Sequence, residues 1–258
     1  MDQSLYKIAN VDHMDPFLMS ISSGSDHWMY LSSTGCLTAG RKKAEQALFP
    51  YVTDDLLHRN AHFTGPVTVI RIKEEENYLV WSPFAPTGKT YKTQTNLYKN
   101  SLGNIIIFEE INHSLGLTFQ YNWQSSVKYG FVRKTKLINN TQKVINLELI
   151  DGLRNVMPAG VELRTQQEMS NLANAYKVSE YSPSTDCALF FLNALLMDRP
   201  EPGESLYSNL IWSYYNGNKE ISLNEKSINS FADSGKLNKD HLIKGKPGCF
   251  LANIEKEL

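Results

Sequence analysis

A chain of 258 residues with 41% hydrophobic and 21% charged residues has an ordinary globular composition, long enough to bury a sizeable core. Its formal net charge of -1 creates no overall field that would draw it to nucleic acid or to an anionic membrane. Three cysteines, Cys36, Cys187 and Cys249, are too few and too scattered for a disulfide framework or a zinc knuckle.

The first residues, MDQSLYKIANVDHMD, lack a basic segment followed by an apolar one, so no signal peptide is expected. No apolar run approaches the ~20 residues of a membrane span. The expectation is a soluble cytoplasmic chain, with residues 1–258 forming one domain.

In chain order, Ser20–Asp26 reads as a loop and Trp28–Ser33 as a strand entering the core. Thr38–Leu48 predicts a short helix, because RKKAEQAL are good helix formers and Thr38 is a possible cap. Val67–Ile72 is β-branched and Tyr78–Trp81 is its hairpin return across Glu74–Asn77. Tyr91–Lys99 alternates.

The densest signal lies between Asn104 and Gly160, where four strand-like runs follow one another across turn-sized gaps. Leu115, Leu117, Phe119, Tyr121 and Trp123 recur at every second position, which places one face on a core. Gln124-Ser125-Ser126 and Asn139-Asn140-Thr141 have turn compositions. Short turns between successive strands require antiparallel pairing.

Beyond this region, Glu162–Tyr176 predicts a helix with a stripe of Met169, Leu172, Ala173 and Tyr176. Strands resume at Cys187–Met197, Leu206–Tyr215 and Cys249–Ile254, with Asn216–Lys246 as a polar excursion. The fold class is all-β with one or two short helices, organised as a large antiparallel β-sandwich.

Chemistry-bearing patterns are sparse. Glu109 and Glu110 are adjacent on a strand and point to opposite faces, so they cannot form a facing acid pair. They read as ordinary ion-pair partners, as do Asp54 and Asp55. His58 and His62 have helical metal-ligand spacing, but Arg59 stands where a zincin needs its glutamate. Thr87-Gly88-Lys89-Thr90 resembles the tail of a phosphate loop without its upstream glycine. No metal site and no cofactor are expected. His113, at a strand end with polar neighbours, is the candidate general acid if the chain is catalytic. Most of the four tryptophans are expected in the core, with some left over as sugar-stacking platforms.

Ser25–Asp55, Asn96–Trp123, Gly130–Asn140 and Leu149–Glu162 resemble the N-terminal region of cellobiose-phosphorylase-type carbohydrate-active enzymes. In that family a β-supersandwich of the galactose-mutarotase-like type precedes a helical toroid. The resemblance implies a non-catalytic accessory domain at the N-terminal end of a larger glycoside phosphorylase or hydrolase. Its implied partners are that helical catalytic domain, a second copy in a homodimer, and carbohydrate. Contact is expected from the loops Ser22–His27 and Thr34–Arg41, with His27, Trp28, Arg41 and Trp123 as candidate saccharide contacts.

The same fold implies an alternative, an aldose-1-epimerase-like isomerase with His113 as acid and Glu180, Glu204 or Glu220 as the available bases. A carbohydrate-binding module, with exposed aromatics in a concave row, is the third reading.

Overall fold

The computed structural model describes residues 4–85, 90–194 and 207–258. Pro86–Lys89, with most of the phosphate-loop-like segment, and the end of the predicted strand Cys187–Met197 lie outside the described residues.

The first strands are β1 (Leu5–Ile8), β2 (Leu18–Ser20), β3 (His27–Ser32), β4 (Leu37–Arg41) and β5 (Ala47–Phe49), followed by the single helical turn α1 (Asp54–Leu57). The central run is β6 (Gly65–Glu74), β7 (Asn77–Trp81), β8 (Thr93–Asn100), β9 (Ile105–Asn112), β10 (Leu117–Ser126), β11 (Gly130–Asn139) and β12 (Asn146–Val156). Two short helices follow, α2 (Leu163–Glu168) and α3 (Ser170–Tyr176), then β13 (Lys177–Ser182), β14 (Cys187–Leu192) and β15 (Asn209–Trp212). The chain ends with β16 (Glu220–Ser222), α4 (Ser227–Ser234), β17 (Leu242–Lys244) and β18 (Gly248–Glu257). The expectation of a β-rich chain with few, short helices holds.

These strands form four sheets, in the orders β1-β8-β9-β10-β11, β16-β18-β12-β6-β7, β15-β14-β13-β17 and β2-β3-β4-β5. Every pairing among the described strands is antiparallel. The alternation read in Leu117–Trp123 is realised in the first sheet. Leu117, Phe119, Tyr121 and Trp123 are buried, together with Leu97 on β8 and Ile106 and Phe108 on β9.

The core is shared. Ile70, Ile72, Leu147 and Leu149 of the second sheet belong to the same cluster, as do Ala188 and Phe190 of the third and Met29, Leu31 and Leu37 of the fourth. The opposite face of the second sheet is covered by α4, where Phe231 packs on Val69, Ile150 and Leu251. Alternate residues of β12 thus serve two different cores, as the two-residue period of a strand dictates.

Polar groups join the first two sheets. Arg133 on β11 makes a two-pronged contact with Asp151 on β12, at 2.6 and 2.9 Å. Trp81 Nε1 on β7 donates to Glu110 on β9 at 2.9 Å, and the Phe84 amide donates to the same carboxylate. Glu109 and Glu110 do point apart, one toward Asn96, Tyr98 and Gln120 and the other toward Trp81. Both are buried, and Glu109 accepts hydrogen bonds from Asn96, Tyr98 and Gln120.

Burial alone would raise the Glu109 carboxyl, but its three donors outweigh that and hold it below the usual 4.5. The folded state therefore prefers the carboxylate. The stabilisation is complete above about pH 4.5 and drains away as the pH falls through the lowered folded value. Replacing Glu109 with Gln removes that component. In urea unfolding across the acid range, the stability gap between wild type and Glu109→Gln should narrow as pH falls. A gap independent of pH would contradict this.

Two sequence expectations are corrected. Thr38–Leu48 is not a helix: β4 and β5 occupy most of it, with one 3-10 turn at Ala44–Gln46 between them. Leu37, Thr38 and Ala39 are buried against β3, and pairing there overrides the helix preference of the side chains. The helix over Glu162–Tyr176 is broken at Met169, whose φ of -132° and ψ of 36° interrupt α2 and α3. Only Ala173 of its stripe is fully buried; Met169 and Leu172 are exposed. The apolar surroundings of Cys36 and Cys187 predict two buried thiols; Cys36 is buried, as is Cys249, but Cys187 is partly exposed.

Candidate functional site

A groove of about 2030 Å³ crosses the surface where distant parts of the chain meet. Arg41 and the loop after β4 line it, as do the β10–β11 turn with the first half of β11, and Tyr207–Tyr215 around β15. Gly152 of β12 and the buried Phe250 of β18 sit at its base. Both β11 and β15 are end strands of their sheets, so the groove opens between two strand edges. Its volume exceeds the ~300–1,000 Å³ of a typical single-ligand pocket, which suits an extended chain-like ligand.

Aromatic side chains stand free along it. Tyr129, in the β10–β11 turn, is 55% exposed, and Trp212, at the end of β15, is 48% exposed. Their rings meet edge to face, with centroids 5.8 Å apart and planes at 69°. Tyr207 and Tyr214 are exposed on the same lining segment. An edge-to-face pair holds both rings in a fixed attitude while leaving a face of each free.

Polar groups line the same groove. Arg41 binds Asp26 through Nε and Nη2, both at 3.0 Å. The hydrogen bond from Arg41 holds the Asp26 carboxyl below its ordinary value. Lys219 contacts Asp186 at 2.7 Å and donates to Ser213. His27 lies edge-on to Phe131, 5.0 Å between centroids. Burial, with a smaller contribution from Arg41, lowers its imidazole below the usual 6.5, against the opposing pull of Asp26. The neutral ring is therefore the favoured form near pH 7.

Ser25, Asp26 and His27 do not form a nucleophilic triad. Ser25 Oγ is 2.5 Å and Asp26 Oδ1 3.8 Å from the same ring nitrogen, Nδ1. A serine–histidine relay needs its hydroxyl and its carboxylate on opposite nitrogens.

Of the candidates named from sequence, His27, Arg41 and Trp123 line the groove and Trp28 does not. Trp28 packs edge-on to Tyr51 and lies over Gly40, where an added Cβ would meet its ring at 2.5 Å. Trp123, only 2% exposed, is a core side chain packed against Phe49 and offers no free ring face. The loop Ser22–Ser25 borders a separate small polar pocket with Asn104, Gln124 and Ser125. Thr34–Arg41 is largely the strand β4.

His113 lies on the exposed β9–β10 turn, outside the groove, with its amide bonded to Lys92 O. Among the described residues no carboxylate is hydrogen-bonded or ion-paired to its ring. Of the bases weighed with it, Glu180 is exposed on β13, Glu220 pairs with Lys239 at 2.6 Å, and Glu204 lies outside the described residues. His58 donates to or accepts from Ser32 Oγ at 2.7 Å. Among the described residues no three His, Cys, Asp or Glu side chains converge on one point.

Sequence reasoning missed Tyr129 and singled out Trp212 only as one of four tryptophans that could include stacking platforms. The available signal was the Trp-Ser-Tyr-Tyr run at 212–215, too aromatic for a solvent-facing strand end without a partner. No protein-family model matches this chain, and neither does any curated protein.

Proposed function

We propose that this chain is a non-catalytic, carbohydrate-contacting β domain that takes a saccharide chain in the aromatic groove. The observation that carries this reading is the pair Tyr129–Trp212 on an open concave surface. The apolar C–H face of a pyranose packs on such a ring, while the hydroxyls around its edge find Arg41, Asp26 and Lys219. The reading also extends to the family expectations. The strands divide among four small sheets and not into one large sandwich, so only the second part of that expectation is carried forward: the domain would accompany a helical catalytic domain of a glycoside phosphorylase or hydrolase type. Exposed Met169 and Leu172 are the apolar side chains such a partner would cover.

The epimerase reading has less support, because His113 faces solvent away from the groove.

Trp212→Ala tests the proposal. Trp212 is half exposed, so truncation should leave the melting temperature within about 2 °C of wild type. Saccharide affinity, measured by calorimetry with cello-oligosaccharides and oligogalacturonides, should fall at least about tenfold, the scale of one lost ring contact. Unchanged affinity for whichever saccharide binds would overturn the groove as the site.

A further inference from the structure

We infer that the saccharide taken by this groove is anionic, carrying carboxylate or sulfate groups; this rests on the groove being the saccharide site. The chain as a whole is almost neutral, at a formal -1. The groove is not. Among its described lining residues, eight are Lys or Arg and four are Asp or Glu. Most of the cations are already spoken for: Arg41 by Asp26, Arg133 by Asp151, Arg164 by Glu168 and Lys219 by Asp186. Lys43 stands 4.0 Å from Glu45.

That leaves Lys42, Lys128 and Lys134, none of which forms an ion pair with a carboxylate among the described residues, although the Lys42 charge is felt by Asp26. All three are exposed. Their placement follows from the backbone. Lys42 adopts a left-handed φ of 51° directly after β4, and its amide is bonded to Asp26 O at 2.8 Å. Arg41, its neighbour, is the cross-strand partner of His27. Gly130, two residues past Lys128, approaches that same histidine: a Cβ there would lie 3.7 Å from His27 Nε2. The turn carrying Lys42 and the turn carrying Lys128 thus converge on one end of the groove.

Lys128 also couples this charge to the aromatic platform. Its ammonium sits 5.1 Å from the centroid of Tyr129, the ring that meets Trp212. A pyranose stacked against the Tyr129–Trp212 pair would have that ammonium on the Tyr129 side, where an exocyclic carboxylate or a ring sulfate could meet it. Lys134 extends the positive edge along β11. Lys128 on the stacking surface, with Lys134 and Lys42 elsewhere along the same groove, favours a ligand with repeated negative charge, and in water each contact is weak and salt-screened. Discrimination therefore comes from several charges acting along a polymer.

Affinity electrophoresis of the full chain through gels containing dextran, dextran sulfate, cellulose ether or polygalacturonate tests this. Dextran and dextran sulfate share a backbone, so their comparison isolates charge; polygalacturonate separates carboxylate from sulfate. Poly-glutamate is the non-saccharide polyanion control. The expected result is retardation by polygalacturonate or dextran sulfate at least about tenfold stronger than by the neutral gels, decreasing as salt rises. Lys128→Glu with Lys134→Glu should abolish the preference, and Trp212→Ala should weaken binding to the anionic polymer.

Equal retardation by neutral and anionic saccharides, independent of salt, would overturn the anionic inference while leaving the groove as a saccharide site. Equal retardation by poly-glutamate would also overturn it, as binding of any polyanion. No retardation by any saccharide would overturn both readings together.

Discussion

Gly152→Val unfolds the protein or costs it more than about 4 kcal/mol, the range reserved for substitutions with a named steric or cavity defect. Gly152 lies mid-strand on β12, opposite Val67 on β6 and Leu251 on β18. A Cβ at this position would sit 1.9 Å from the Phe250 carbonyl oxygen and 2.9 Å from Leu251 Cα. These are backbone atoms of a paired strand, so no side-chain rotation relieves the clash; β12 and β18 must separate. Both strands carry core residues of two clusters, including Ile150 and Leu251 on one face and Leu149 and Phe250 on the other. Even Gly152→Ala should lower the thermal midpoint by well over 5 °C in circular dichroism. A midpoint within error of wild type would show that the sheet tolerates a wider β12–β18 spacing than the packing implies.

Asp151→Ala should cost about 2–4 kcal/mol, somewhat less than the penalty for stripping one partner from a fully buried ion pair, because the pair is only largely buried. Asp151 accepts from both Arg133 terminal nitrogens and from Thr68 Oγ1 at 2.5 Å. The Arg133 side chain is 9% exposed and also stacks 4.8 Å from the Tyr121 ring. Removing the carboxylate leaves a guanidinium between two sheets with no counter-charge, and Arg133 Nε already lacks a partner. The double replacement Arg133→Met with Asp151→Leu should be much milder, because it removes both charges and keeps the volume. Denaturant unfolding of the single and double variants reads the difference. A double variant as unstable as the single one would mean that the pair matters for its shape and not for its charge.

The central sheet was legible because its sequence obeys one rule over a long stretch. Between Asn104 and Val156 the apolar residues alternate and the gaps hold Asn and Ser, so four strands could be placed almost to their ends. The first turn was set too early: β10 continues through Gln124-Ser125-Ser126, which pair with Val132, Phe131 and Gly130, and the chain turns at Val127–Tyr129. Those three polar residues are compatible with an outward-facing strand, and composition alone does not separate the two cases. Thr38–Leu48 failed for the opposite reason. Its helix formers are strong locally, but Leu37 and Ala39 are consumed by a sheet whose other strands lie elsewhere in the sequence.

The candidate site was less legible than the fold. His27 and Arg41 were visible as residue types beside a loop, and both reach the groove. The groove itself is made by residues from β4, the β10–β11 turn, β12, β15 and β18, a convergence that periodicity does not encode. Trp123 belongs to the alternating face that identified the sheet, and that same regularity buries it. Trp212 is free because β15 is short and ends its sheet.

The most direct test is a titration followed by the indole N–H signals of Trp28, Trp81, Trp123 and Trp212 in two-dimensional NMR. Oligogalacturonides and cello-oligosaccharides are added in turn. Binding in the groove predicts a progressive shift of the Trp212 signal, lost in Trp212→Ala, while the buried Trp81 and Trp123 signals move little. Titrations in which neither saccharide moves Trp212 would contradict the groove as a carbohydrate site.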